Sequence, residues 1–559
     1  MHAASDETRS NADSYRLRAA SGAGPVDAGF GLVHADTIVA TADDELSIEP
    51  SQFRFELAAG NKETNGSLGP LGLEAGSHKV WLTVFDGDRR VEAKEVPLLI
   101  VDRANIVRTF GARYGSLEYD MPVVTGHGTT TQWSSLWKTG EAPDLVVDFE
   151  SPAKFVLWRG MSYAPAWALD NVMTANFFAE TVEPGVFRDC CEMMSDRRCV
   201  YTHTRLIHSS PARAVIHWRY PLVDSAYTVC RDQWVDEMYF VYPDAVAVRN
   251  VTIHLDPKDE QVWRFCPQTG RRIPCSMIGA PRGKRTFNDM ELITVNPAGA
   301  SSQRITPVKA LTILDTHDVT QPCAWPEPPD FGKSLDAYIF RMNYRSRPGV
   351  FVASHGRNMH VRLQPNTGMR YQAGALVADD RWVQVGNLPS LFADHIHWPV
   401  TRGYGTTPLT DPSQFLDRPT HTFLGYANNA PVSVAESGAV TWSWLCGIAP
   451  DDDARLRTLV AEWLTPSAVD GAQYDPLQRA YRVQPGQADL ALSADLNRPT
   501  FILEGCRSVH PRLNGRAMDV EHFAVGVERT IKGVETIVTF RGDLPSAGVL
   551  TFGGETHAH

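Results

Sequence analysis

The stretch from Tyr201 to Arg249 constrains this chain more than any other, because it reads as four consecutive antiparallel strands carrying chemistry on one side. Successive side chains of a strand point to opposite faces, so alternation assigns each residue a side. Tyr201, His203 and Arg205 share a face of the first strand. In the second, Arg213, Val215, His217 and Arg219 oppose Ala214, Ile216, Trp218 and Tyr220. In the third, Glu237 and Tyr239 oppose Trp234, Met238 and Phe240; in the fourth, Arg249 opposes Val246 and Val248. His, Arg, Glu and Tyr collected on a common side would give a wet, cationic surface suited to an anionic ligand. The plainer outcome is the solvated outer face of an antiparallel sheet.

At 559 residues the chain exceeds one ordinary domain. Its formal charge of −12 argues against a nucleic-acid partner. A local Arg/His cluster can still oppose that global sign and hold a polyanionic sugar. No apolar run approaches the ~20 residues of a membrane span. Residues 1–27 are polar and rich in small residues, and read as a disordered lead without the apolar core of a signal peptide. A secreted or periplasmic location is expected, with the export signal absent from this chain. The nine cysteines lack any CxxC pair, so a zinc site is not favoured. An odd count leaves at least one thiol unpaired in a monomer, while oligomeric state is not legible. Cys230 and Cys446 fall in apolar strand patterns and are expected to be buried as small hydrophobes.

Short apolar runs separated by Gly/Asn/Asp turns fill residues 28–103 and predict an immunoglobulin-like β-sandwich. Residues 104–465 are dominated by strands joined by turns rather than crossover helices, which argues against a parallel sheet. No motif recurs at the period of a propeller. The turn Val241-Tyr-Pro-Asp-Ala245 between two long strands resembles the meander of the galactose mutarotase-like β-supersandwich, the fold expected for this block. One helix stands out, Asp452–Leu464, with Leu456, Leu459, Val460 and Trp463 at helical spacing, an acidic start and Pro466 beyond its end. Residues 466–559 return to strands and predict a C-terminal β-sandwich. The expected class is thus mainly β, with a large antiparallel supersandwich between two smaller sandwiches.

Two further clusters carry candidate ligands. In Asp394-His-Ile-His397, His395 and His397 share a strand face, with Arg402 and Tyr404 in the Gly-punctuated loop that follows. Two imidazoles with a nearby acid could hold a metal ion, but the ligand set is incomplete and a metal is not favoured. In Trp158-Arg-Gly-Met-Ser-Tyr163, Gly160 breaks a strand, placing Arg159 and Tyr163 in a loop where binding residues concentrate. Trp167 is either a sugar-stacking platform or core packing, and packing is the commoner fate. His127, His355 and His360 are weaker candidates. The sequence has no Gly-x-Ser-x-Gly elbow and no Walker or Rossmann glycine pattern. Asp236 and Glu237 are adjacent, so they face opposite sides and cannot flank one glycosidic bond.

Arginine, histidine and tyrosine together suit β-elimination of a uronate polysaccharide. Arg neutralises the carboxylate and acidifies the neighbouring C–H. A His or Tyr removes the proton and another protonates the leaving oxygen, with no cofactor required. On this reading Arg205 and Arg219 hold the carboxylate. His203 or His217 handles the proton, and Tyr239 is the partner acid. Arg159, Tyr163, Trp167, Glu237, Arg249, His397, Arg402 and Tyr404 contribute to substrate binding. Alternatives are a glycoside hydrolase on the same fold or a glycan-binding protein without turnover. The segments Phe155-Val-Leu-Trp-Arg-Gly-Met-Ser-Tyr-Ala-Pro-Ala-Trp167, Glu192-Met-Met-Ser-Asp196, Ala214-Val-Ile-His-Trp-Arg-Tyr220 and His397-Trp-Pro399 resemble the ulvan lyases of polysaccharide lyase family 40. The resemblance covers the central block only. It implies endolytic cleavage beside a uronic acid in a sulfated, rhamnose-rich polysaccharide, and it assigns no catalytic residue by position.

Overall fold

The computed structural model describes residues 76–100, 109–115, 143–169, 199–254, 309–323, 337–354 and 439–553 with short gaps, and isolated strands elsewhere. Residues 255–285 and 379–420 lie outside this description. The chain divides into two compact units, residues 1–108 with 116–118, and residues 109–115 with 119–559. Both are built mainly of antiparallel β-sheet, as the alternating patterns predict.

The first unit holds a five-stranded sheet around the long hairpin Gly76–Asp86 and Arg89–Ile100, which turns at Gly87 with φ of 63°. That left-handed conformation is one glycine adopts without penalty. A three-stranded sheet accompanies it, in the order Arg16–Ser21, Asp44–Glu49, Ser67–Leu68. Arg16–Ser21 was expected within a disordered lead. Instead it pairs antiparallel with Asp44–Glu49, setting Leu17 opposite Ile48 and Ala19 opposite Leu46. The other residues of that lead, 1–15 and 22–27, lie outside the described residues.

The second unit contains a ten-stranded sheet. Four of its strands are β1 (His203–Ser209), β2 (Ala214–Val223), β3 (Val229–Val241) and β4 (Val246–His254), each antiparallel to the next. The sheet continues through Ala439–Ile448, Val350–Ser354, Ile339–Met342, Leu311–Leu314 and Thr320–Cys323. An eight-stranded sheet, which includes the neighbouring strands Lys154–Leu157 and Pro165–Leu169, lies against it. Phe155 from that sheet meets Tyr239 of β3 at 5.3 Å between ring centroids and Trp167 at 4.8 Å. Phe155, Trp167, Trp218, Trp442 and Trp444 are all buried. Trp167 is therefore core packing rather than a sugar platform.

The opposite, outer face of the ten-stranded sheet is partly covered. Helix α1 (Asp453–Leu464) begins at Asp452, whose carboxylate accepts from the Ala454 N–H at 2.9 Å, a cap worth about 1 kcal/mol. Its stripe of Leu456, Leu459, Val460 and Trp463 packs on Val246, Val248, Leu445 and Phe351. Beyond it, the C-terminal strands form a five-stranded and a four-stranded sheet around Phe501, Leu503, Val538, Phe540 and Leu550.

This sandwich docks on the β2–β4 end of the large sheet. Arg213 reaches Glu528 through Nε at 2.6 Å and a second guanidinium nitrogen at 2.7 Å, and both side chains are buried. Asn250 donates to the Leu477 carbonyl at 2.7 Å, and Arg479 pairs with Asp244 at 2.8 Å. Gly526 fits because a Cβ there would collide with the Ser210 side chain. Arg213, which alternation places beside His217 and Arg219, is thus consumed by this joint.

The cysteine expectation holds for Cys446, which is buried and free. It fails in kind for Cys230, which is buried but forms a disulfide with Cys191 across a Cα separation of 6.4 Å. Apolar surroundings predict burial and are silent on a partner 39 residues away.

Candidate functional site

Register, not alternation alone, decides which polar residues meet. Across β1 and β2, His203 lies opposite Arg219 and Arg205 opposite His217, so these four share one face. Across β2 and β3, Arg219 lies opposite Asp236 and His217 opposite Met238. Ile216, Trp218 and Tyr220 sit opposite Tyr239, Glu237 and Val235. Across β3 and β4, Tyr239 meets Arg249. The polar residues therefore form two sets on opposite faces of one sheet.

The inner set is sealed in the core. Glu237 and Arg249 have no exposed side-chain surface. One Glu237 oxygen accepts from the Tyr220 hydroxyl at 2.6 Å and from an Arg249 terminal nitrogen at 2.6 Å. The other accepts from the Tyr239 hydroxyl at 2.5 Å and from Arg249 Nε at 2.7 Å. Tyr220 oxygen in turn accepts the Ala179 N–H at 2.7 Å. Burial, then the negative charge of Glu237, push both phenols far above their usual range, so both stay protonated as donors. Burial alone would lower Arg249, but Glu237 beside it raises it, so the guanidinium stays charged. This is a fully paired buried charge. The expected acid Tyr239 and the expected binding residues Glu237 and Arg249 are corrected accordingly: the register turns them away from the histidine face.

The outer set is wet. His203 and Arg205 are exposed, while the side chains of His217 and Asp236 are each 20% exposed. Asp236 is the hub. Its Oδ1 accepts from His217 Nε2 at 2.8 Å, and Arg219 lies 3.2 and 3.1 Å from the two carboxylate oxygens. His254 Nε2 stands 3.5 Å from Oδ2. Burial would raise Asp236, but the His217 hydrogen bond and the charges of Arg219, His217 and His254 hold it below the usual carboxylate value. The carboxylate is ionised and can only accept, so His217 carries its proton on Nε2 in that bond.

Arg219 also lies over the Trp234 ring, 5.2 Å from its centroid, and Tyr201 meets the same ring edge-on at 6.3 Å. His203 Nδ1 contacts the Tyr201 carbonyl at 3.2 Å. A carbonyl cannot donate, so Nδ1 is the protonated nitrogen of that contact, and in the neutral ring Nε2 carries the lone pair. The exposed face thus offers a free basic nitrogen, a carboxylate-oriented imidazole, two guanidinium groups and an indole. His217 and His254 flank Asp236 in the manner of a metal triad, but Arg219 lies against both carboxylate oxygens. The three-ligand cluster among the described residues lies elsewhere, at the exposed Asp519, Glu521 and His522.

The loop residues fare differently. Arg159 is half-buried in a short turn, Arg159–Met161, with its backbone N–H donated to Asp144 Oδ1 at 2.6 Å. Tyr163 is buried in a left-handed conformation (φ of 62°) and donates its hydroxyl to the Pro143 carbonyl at 3.2 Å, so it is not a free binding group. His397, Arg402 and Tyr404 lie outside the described residues, as do His127, His355 and His395. Asp236, Trp234 and His254 are the members of the outer set that alternation did not nominate, whereas Tyr201 was placed with His203 and Arg205 from the start. No protein-family model and no curated protein matches the chain.

Proposed function

We propose that this chain binds a uronate-bearing, sulfated polysaccharide on the outer face of its ten-stranded sheet and cleaves it by β-elimination. The observation that carries the reading is the gathering of His203, Arg205, His217 and Arg219 on one wet face, with Asp236 fixing the second imidazole. Arg205 and Arg219 neutralise the uronate carboxylate, which acidifies the C5 proton. His203 Nε2 takes that proton as the C4–O4 bond breaks and a C4=C5 double bond forms. The leaving O4 receives its proton from the Tyr201 hydroxyl, or from Nδ1 of His217 in its doubly protonated form with Nε2–H still held by Asp236; these replace Tyr239 in that role. Trp234, under Arg219, supplies a flat apolar surface for a sugar ring.

The resemblance of the central block to ulvan lyases points the same way. We also read the two large facing sheets as a β-supersandwich of the galactose mutarotase-like kind. The Cys191–Cys230 disulfide supports an oxidising compartment, in keeping with secretion or the periplasm. Among the described residues, no helix is long and apolar enough to cross a membrane.

Hydrolysis is less well supported, because Asp236 and Glu237 point to opposite faces and cannot flank one bond. Binding without turnover fits the same exposed cations. Incubation with ulvan, alginate, chondroitin and heparin separates the readings. Elimination leaves an unsaturated uronyl end that absorbs in the ultraviolet. Shortened chains without that absorbance would indicate hydrolysis, and unshortened chains bound with salt-sensitive affinity would indicate a binding protein.

A further inference from the structure

A titratable group sits in the joint between helix α1 and the C-terminal sandwich. Glu462 of the helix lines a partly open cavity of about 30 Å³, together with Trp463 on its own element and Tyr474, Arg479, Tyr481 and Arg498 of the sandwich. That is room for about one water-sized group. Arg479 and Arg498 both hold left-handed backbone, with φ of 47° and 44°. Strained conformations of this sort persist where the surrounding structure over-determines them.

Arg479 is the cation nearest in role to a partner for Glu462, yet it is already committed. It pairs with Asp244 at 2.8 Å and lies over the Tyr242 ring at 5.7 Å. From the sandwich side Asp543 adds a second negative charge, and the Tyr474 and Tyr481 phenols remain neutral. The backbone N–H of Asn497 and the charge of Arg479 favour the carboxylate, but burial outweighs them and pushes Glu462 up to about 7.

We propose that Glu462 is a proton-operated latch: with its carboxyl protonated the sandwich closes on helix α1, and loss of that proton loosens the joint. The sign follows from linkage. The closed state holds a proton that the opened carboxyl, with its ordinary value of 4.5, releases. The latch contribution is therefore complete below that ordinary value and is lost as pH rises through about 7. The joint is tighter in mildly acidic surroundings than in alkaline ones, independently of what the outer face of the sheet processes.

Hydrogen exchange of the full chain tests this, with protection of strands Ala472–Asp475 and Ala480–Val483 corrected for intrinsic rates. Between pH 6 and pH 8 the wild type should lose about tenfold in protection there, and Glu462→Gln should remove most of that difference. Equal protection of the wild type at the two pH values would overturn the latch. So would a Glu462→Gln protein that keeps the full tenfold drop. The wild-type arm stands even if the variant folds poorly.

Discussion

Asp236 and Glu237 are neighbours on one strand, and each meets an arginine, yet they have opposite fates. Glu237 is sealed between two sheets, where four donors satisfy its two oxygens. Asp236 stands at the edge of solvent, shared among Arg219, His217 and His254. In the core, low dielectric makes every contact of the carboxylate strong and every missing one costly. On the outer face water replaces lost partners, so the same pairing contributes little to stability and, under the proposed function, orients a reacting group. The comparison teaches that an Arg–carboxylate pair in a strand is architecture or machinery according to which side of the pleat it takes.

Substitutions break this contrast in descending order of effect. Glu237→Ala strands Arg249 as an uncompensated buried charge and should cost about 3–5 kcal/mol of unfolding free energy in urea. A loss below ~1 kcal/mol would mean that water reaches the inner set. Asp236→Asn removes the anchor of His217 and should reduce polysaccharide turnover by about tenfold or more while shifting stability by less than ~1 kcal/mol. Because Asp236 titrates below its ordinary value, this small contribution is present above that value and fades only as pH falls through the lower, folded one. Tyr239→Phe removes one of four donors to Glu237 and should cost about 1 kcal/mol in the same denaturation experiment.

Much of this arrangement was legible in the sequence, and the missing part has a specific cause. Alternation correctly gathers His203, Arg205, His217 and Arg219 on one side, and Glu237, Tyr239 and Arg249 on one side. The error lies in joining the two sets. Near the loop, Val223 pairs with Val229, a register that, if continued, would set His217 opposite Val235 and so on the Glu237 face. The ladder instead shifts between Pro221 and Val223, and His217 falls opposite Met238. Proline has no N–H to give a ladder, so Pro221 is the visible sign of the break. A slip by an odd number of residues exchanges the faces of everything beyond it.

Helix α1 was readable to the residue in its buried stripe, because Leu456, Leu459, Val460 and Trp463 repeat at helical period. The burial of Arg213 was not, since its partner Glu528 is 315 residues away and no local pattern announces it. Tyr163 and Trp167 mislead for a related reason. Aromatic side chains serve cores and sugar sites alike, and only the facing sheet settles which.

The central claim is that the outer face works and the inner face supports. Its most direct test compares His203→Ala with Tyr239→Phe for ultraviolet-absorbing product from a uronate polysaccharide that the wild type cleaves. The account predicts that His203→Ala folds normally and forms no product, whereas Tyr239→Phe turns over like the wild type. Wild-type turnover by His203→Ala, together with a folded but inactive Tyr239→Phe, would contradict it.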